Sequence, residues 1–168
     1  INLSFQNSNA QWVESNNGLY GGSVGSFAFS GNNIFTVCSG NIYLSIDNGD
    51  TWTRKNSGLS NISVISLAAS GDNIYAGTRS GIYLSTDNGE SWTQKNSRLT
   101  DTIVYSIAIS EDKIFVGTNN GTVFLSTDEG NNWNNKSSGI IINSTYKSIQ
   151  SIIISGNNIY AGAYSGGV

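Results

Sequence analysis

The sequence contains no histidine, no methionine and no proline, and its one cysteine is Cys38. A chain without histidine and with a single thiol holds neither a His/Cys zinc-ligand set nor a Ser-His-Asp triad, and it forms no internal disulfide. We expect Cys38 to be a small buried residue rather than a reactive thiol. Because methionine is absent, Ile1 is not a translated start, so we expect either a removed leader or a longer parent chain.

Charge is also scarce. Asp, Glu, Lys and Arg make up 11% of the 168 residues, and the formal net charge is −3. No run of basic residues is present, so we expect no nucleic-acid partner. No segment approaches the ~20 apolar residues that span a bilayer, and no glycine-rich phosphate loop precedes a helix. We therefore expect no membrane span and no cofactor.

What the sequence does contain is a short string, Ser-x-Asp-x-Gly-x-x-Trp, repeated at a fixed interval. Its three copies, called here the box turns, are residues 45–52, 85–92 and 126–133. A weaker copy runs from Ser4 to Trp12, so the four tryptophans are separated by 40, 40 and 41 residues. A fixed period of this length indicates one supersecondary unit stacked several times.

The central copy shows the strand pattern most clearly. Residues 64–70 alternate apolar with small or polar side chains, and shorter strands are predicted at 74–78, 82–85 and 91–95. No segment has a helical period of useful length. The sequence therefore predicts an all-β chain, a β-propeller of four four-stranded antiparallel blades in a single domain over 1–168. The predicted repeat units are 18–57, 58–97, 98–138, and 139–168 together with 1–17.

The residue types of the box turns predict a structural role. The Asp accepts hydrogen bonds from its own turn, and the Ser adds a second bond to the backbone. The Gly provides a positive φ, and the Trp buries a large ring against neighbouring strands. The predicted structural positions are Ser45, Asp47, Gly49, Trp52, Ser85, Asp87, Gly89, Trp92, Ser126, Asp128, Gly130 and Trp133.

The string of the box turns resembles the Asp-box, or BNR repeat, of sialidases. The blades also resemble those of the sortilin ectodomain, of xyloglucan-cleaving propellers and of a photosystem II assembly factor, and the wider unit is similar to secreted bacterial repeat proteins. In those families the box lies away from the ligand face and is structural. The resemblance covers nearly the whole chain and implies a propeller that is secreted or at a bacterial cell surface, without implying an activity.

The residues that catalytic relatives use do not recur here. The three arginines, Arg54, Arg79 and Arg98, fall at unrelated positions of the repeat, so they do not form a carboxylate-binding triad. We expect no catalytic residues, no enzyme activity and no metal site. Of the eleven acids, those outside the box turns are Glu14, Asp72, Asp101, Glu111 and Asp112. A glycosidase-like pair among them stays open.

Two kinds of aromatic residue are distinguished by their spacing. Those that recur at equivalent strand positions are predicted to be core between blades: Tyr43, Tyr75, Tyr83, Phe115, Phe124 and Tyr160. Tyr20, Tyr146 and the loop over 140–150 are instead candidates for a recognition surface, since loops carry function on rigid scaffolds.

The last repeat stops partway through its third strand, and the residues that would complete it resemble 1–17. An unfinished sheet exposes an edge, which proteins rarely tolerate. Three solutions are open: residues 1–17 close the ring within one molecule, they complete another copy in a ring or filament, or a longer propeller supplies the missing strands.

The sequence thus favours a non-catalytic extracellular propeller, a structural, adhesive or self-assembling module that binds copies of itself, a protein or a glycan. The alternative is a carbohydrate-binding or glycosidase-like propeller of sialidase type, or a fragment of one.

Overall fold

The computed structural model describes residues 3–6, 11–140 and 147–164, with side chains from residue 14 onward. Every regular element within these ranges is a β-strand. Strands β1 (Leu3–Gln6) and β2 (Gln11–Glu14) form an antiparallel pair, called here the N-terminal hairpin.

Three four-stranded antiparallel sheets follow, and each has its strands in chain order. The first blade contains β3 (Val24–Ser30), β4 (Asn33–Cys38), β5 (Asn41–Ser45) and β6 (Thr53–Arg54). The second contains β7 (Val64–Ser70), β8 (Asn73–Thr78), β9 (Gly81–Ser85) and β10 (Thr93–Gln94). The third contains β11 (Val104–Ser110), β12 (Lys113–Thr118), β13 (Val123–Ser126) and β14 (Asn134–Asn135).

The described strands end with a second two-stranded sheet, called here the C-terminal hairpin. It contains β15 (Ile149–Ser155) and β16 (Asn158–Ala163), which pair with the register of the two inner strands of a blade. The predicted fold class, an all-β propeller of four-stranded antiparallel blades, is confirmed.

The inner strands hold the blades together. Strand β3 packs beside β7, β7 beside β11, and β11 beside β15. Because successive side chains of a strand point to opposite faces, each blade presents one apolar face to the blade before it and another to the blade after it. In the second blade Ile74 belongs to the core shared with the first blade, whereas Tyr75 belongs to the core shared with the third.

The two hairpins remain separate sheets. Among the described residues, β16 pairs with β15 alone and β1 pairs with β2 alone. Strands β15 and β3 show none of the packing that joins successive inner strands in this part of the chain. Completion of the last blade by the N-terminal strands, in the same or another molecule, therefore stays a prediction.

The weak first copy of the repeat differs from its predicted alignment by one residue. In the N-terminal hairpin Ser4 pairs with Val13, as Leu44 pairs with Thr53 in the first blade. Phe5, rather than Ser4, therefore occupies the position of the box-turn residue Ser45. Strand pairing extends to Gln6 and Gln11, residues that correspond to the turn itself in the intact copies.

Candidate functional site

The box turns are closed by their own side chains. In the second blade the Ser85 hydroxyl accepts the Gly89 N–H (2.8 Å) and donates to Asp87 Oδ1 (2.7 Å). Asp87 Oδ1 also accepts the Ser91 N–H at 2.9 Å, and Oδ2 accepts the Ser91 hydroxyl at 2.5 Å. All four bonds join residues no more than four apart, so the turn is fixed locally.

These hydrogen bonds stabilise the charged form of each aspartate. The Thr51 hydroxyl, followed by the Thr51 N–H, lowers the pKa of Asp47 to about 2. The Ser91 hydroxyl and N–H lower the pKa of Asp87 to about 2 in the same way. In the third box turn the Asn132 side chain and N–H lower the pKa of Asp128. The three carboxylates are thus ionised turn-forming groups.

The box turns also join each blade to the one before it. Trp92 Nε1 donates to the Lys55 carbonyl at 2.9 Å, and Trp133 Nε1 donates to the Lys95 carbonyl at 2.7 Å. A Cβ on Gly89 would lie 2.9 Å from Lys55 Cβ, so glycine permits this close approach as well as the positive φ of 83°.

The first box turn makes a modified version of this joint. Ser15 takes the place of Lys55, and its hydroxyl donates to the Gly49 carbonyl. The Trp52 N–H donates to the Asn17 carbonyl at 2.9 Å, as the Trp133 N–H does to the Ser97 carbonyl at 3.2 Å. Buried Trp52 Nε1, however, has no hydrogen-bond partner among the described residues. The segment after β2 is thus positioned like the end of a blade that precedes the first.

The acids outside the box turns do not share one site. Glu14 and Asp72 are exposed on different elements, and Asp101 accepts the Asn120 N–H at 2.7 Å. Glu111 and Asp112 line a cavity of about 410 Å³ between the second and third blades. Among the residues with described side chains, no group of three or more His, Cys, Asp or Glu is placed to hold a metal ion.

The cavity beside Glu111 and Asp112 also contains Glu129 and Tyr75. Burial, followed by the negative charge of Glu129, raises the pKa of the Tyr75 phenol. This is the place in the described structure where non-turn carboxylates and an aromatic side chain line one cavity.

The other polar candidates are dispersed. Arg54, Arg79 and Arg98 are all exposed; Arg54 lies in β6, Arg79 in the turn after β8, and Arg98 beyond β10. Tyr20 is 85% exposed in the segment between β2 and β3, whereas Tyr146 lies outside the described residues. Cys38 is free and buried.

Two apolar surfaces at opposite ends of the blade series were not found by the sequence analysis. The leading face, on β3, consists of Phe27 and Phe29, which are 44% and 66% exposed. The trailing face, on the C-terminal hairpin, consists of Ile153 and Tyr160, which are 61% and 47% exposed. Contiguous exposed apolar side chains of this size mark interaction surfaces.

The interior blades show what normally covers these positions. By strand register Tyr160 corresponds to Tyr75 and Phe115, which the following blade leaves 2% and 6% exposed. Phe27 corresponds to Leu67, which is 5% exposed against the preceding blade. The repeat period contained this signal, because it identifies which strand positions face the next blade.

The comparisons with known proteins agree with this architecture. The family model of the DUF6242 beta propeller domain matches residues 2–101, which are 100 of the 168 residues. The chain belongs to this family. No curated protein matches the sequence.

Solved structures resemble this DUF6242 propeller in fold. An ancestral GH74 enzyme has a TM-score of 0.70 at 20% identity, with 89% of this chain and 22% of that chain covered. The extracellular domain of BT4673 from B. thetaiotaomicron has 0.65 at 20% identity, with 83% and 20% covered. YCF48 bound to D1 peptide has 0.63 at 19% identity, with 84% and 48% covered. This chain therefore spans less than half of each of the three.

No helix long and apolar enough to cross a membrane occurs in the part of the DUF6242 chain that the structure describes.

Proposed function

We propose that this DUF6242 propeller is a non-catalytic extracellular binding module that acts through the two apolar end faces of its blade series. The observation that carries the proposal is the exposure of Phe27, Phe29, Ile153 and Tyr160 at positions that the interior blades bury. Exposed apolar side chains lose unfavourable contact with water when a partner covers them.

Two further observations support a structural role rather than catalysis. The three box-turn aspartates are engaged by donors of their own turns, and the three arginines lie apart on the surface. The resemblance of the box turns to the Asp-box of secreted propellers, and the fold shared with the extracellular domain of BT4673, support an extracellular location. The structure of YCF48 with a D1 peptide is a precedent for peptide binding by a similar fold.

A carbohydrate-binding or glycosidase-like function is the second candidate. It is favoured by the 410 Å³ cavity that contains Glu111, Asp112 and Glu129, and by the fold shared with a GH74 enzyme. Two carboxylates in one cavity are the minimum that glycoside hydrolysis requires.

A glycan array and a polysaccharide hydrolysis screen with the full chain separate the two functions. We expect no turnover, and the same background signal for wild type and for Glu111→Gln, Asp112→Asn and Glu129→Gln. Turnover that these variants lose, while Asp72→Asn retains it, would overturn the non-catalytic function.

A further inference from the structure

We infer that the trailing face of one copy binds the leading face and N-terminal hairpin of a second copy, so that two chains together form one complete blade. This inference rests on the proposed function, since it names the partner of the same end faces. The occupant is a second copy because the chain itself carries both halves of the missing joint.

The first half is an inner hairpin without outer strands. In each interior blade the second strand pairs with a third, as β8 pairs with β9, whereas β16 has no such neighbour among the described strands. Beside this open edge Tyr160 is 47% exposed, against 2% for Tyr75 in the equivalent position. An unpaired edge beside an apolar face is a template for a further strand.

The second half is an outer hairpin without inner strands. Strands β1 and β2 have the register of third and fourth strands, and Asn17 contacts Trp52 as Ser97 contacts Trp133. The N-terminal hairpin is therefore placed as the outer pair of a blade that precedes the first. The inner strands of that blade would cover Phe27 and Phe29, as the first blade covers Leu67.

The two halves are kept apart within one chain. The inner strands pack in a single series from β3 to β15, and no comparable packing joins β15 back to β3 in the described ranges. A second copy brings β15 and β16 of one chain beside β1 and β2 of the next. Because the joined surfaces differ, the contact is heterologous and repeats into a ring or a filament.

The strand register fixes the contact residue by residue. Tyr75 pairs with Leu84, and Ala76 pairs with Tyr83. Transferred to the shared blade, these pairs place Tyr160 of one copy opposite Ser4 of the other, and Ala161 opposite Leu3. Neighbouring antiparallel pairs alternate between ~5.5 and ~4.5 Å in Cα separation, and both distances permit a disulfide.

A crosslinking experiment tests this register. In a Cys38→Thr background, which uses the residue of the equivalent position Thr78, chains carrying Ser4→Cys and chains carrying Tyr160→Cys are mixed and oxidised. We expect a covalent product of twice the chain mass, and likewise for Leu3→Cys with Ala161→Cys. Ser155→Cys, at the far end of β15, is the out-of-register control and should give none with Ser4→Cys.

Solution mass tests the polarity of the contact. We expect Phe29→Lys and Ile153→Lys each to be monomeric, since each variant lacks one end face. Mixed, they should form a dimer and stop there, because only one trailing face and one leading face remain intact. Ile46→Lys, an exposed box-turn position away from both faces, should assemble like wild type. Far-UV circular dichroism confirms that each variant is folded.

A monomeric mixture of folded variants without crosslinked dimer would overturn the inference. So would a chain carrying both Ser4→Cys and Tyr160→Cys that crosslinks at monomer mass alone, because the ends then close within one molecule. Either result leaves the non-catalytic function intact, whereas glycoside turnover would overturn that function without affecting the assembly.

Discussion

At the scale of single residues, the box turns were predictable because their partners are close in sequence. Asp87 and Ser85 bond to groups no more than four residues away, and the residue types and spacing predict such bonds. The bond from Trp92 to Lys55 was not predictable, because a repeat period does not identify a carbonyl 37 residues away. The exposure of Phe29 depended on the position of its blade, which is a property of the assembly of blades rather than of the residue.

The lowered pKa of the box-turn aspartates predicts loss of stability in acid. The folded-state pKa of Asp87 is about 2, below its ordinary value of 3.8, so its contribution to stability is fully present above pH 3.8. The contribution decreases as the pH falls toward about 2, because the unfolded state binds the proton first. We expect urea unfolding midpoints to fall between these pH values, and Asp87→Asn to flatten this dependence.

Asp72→Asn is the matched control for this prediction, because Asp72 is an exposed turn acid outside the box turns. It removes the same charge and should leave the slope of stability against pH between 4 and 2 nearly unchanged. Equal slopes for wild type and Asp87→Asn would show that the turn bonds do not favour the ionised carboxylate.

At the scale of elements, the four-stranded blades were predictable and their joints were not. The alternation in residues 64–70 and the turns that follow indicated strands that the structure places at β7 to β10. The first copy was misaligned by one residue, because Ser4 resembles a box serine whereas strand pairing places Phe5 there. Pairing between β1 and β2 continues through the positions of a normal box turn, and the sequence offered no measure of that.

The joints predict different costs for the same substitution in different blades. Trp92→Phe removes the hydrogen bond to the buried side of Lys55 and leaves that carbonyl without its donor. Trp52→Phe removes a buried Nε1 that has no partner among the described residues. We expect Trp92→Phe to lower the free energy of unfolding by about 1 kcal/mol more than Trp52→Phe does.

Urea unfolding of the two variants measures this difference directly, with similar loss of ring area in both. An equal cost, or a larger cost at Trp52, would mean that the Trp52 ring finds an acceptor that Trp92 does not need.

At the scale of the whole molecule, the blades differ in how many neighbours support them. The second blade lies between two others, whereas the C-terminal hairpin is covered on one face by the third blade and exposes Ile153 on the other. Local stability follows buried apolar contacts and protected backbone bonds. A sequence in which all units look alike could not predict this gradient, since it comes from the ends of the series.

Hydrogen exchange should therefore distinguish the strands in dilute, monomeric protein. We expect the amides of β15 and β16 to exchange on the order of tenfold faster than those of β7 and β8. Raising the protein concentration until copies associate should slow exchange in β16 and leave β8 unchanged. Equal exchange in the two hairpins at low concentration would contradict the gradient.

The blade joints also make chain length adjustable in whole units. Lys55 and Lys95 present the same carbonyl to the tryptophan of the following blade. Excision of residues 58–97 would therefore place Lys55 before Trp133 and recreate the joint, while both end faces survive. A gene of this kind gains or loses forty-residue modules by recombination without redesign of any contact, so natural variants of different length can share one mode of assembly.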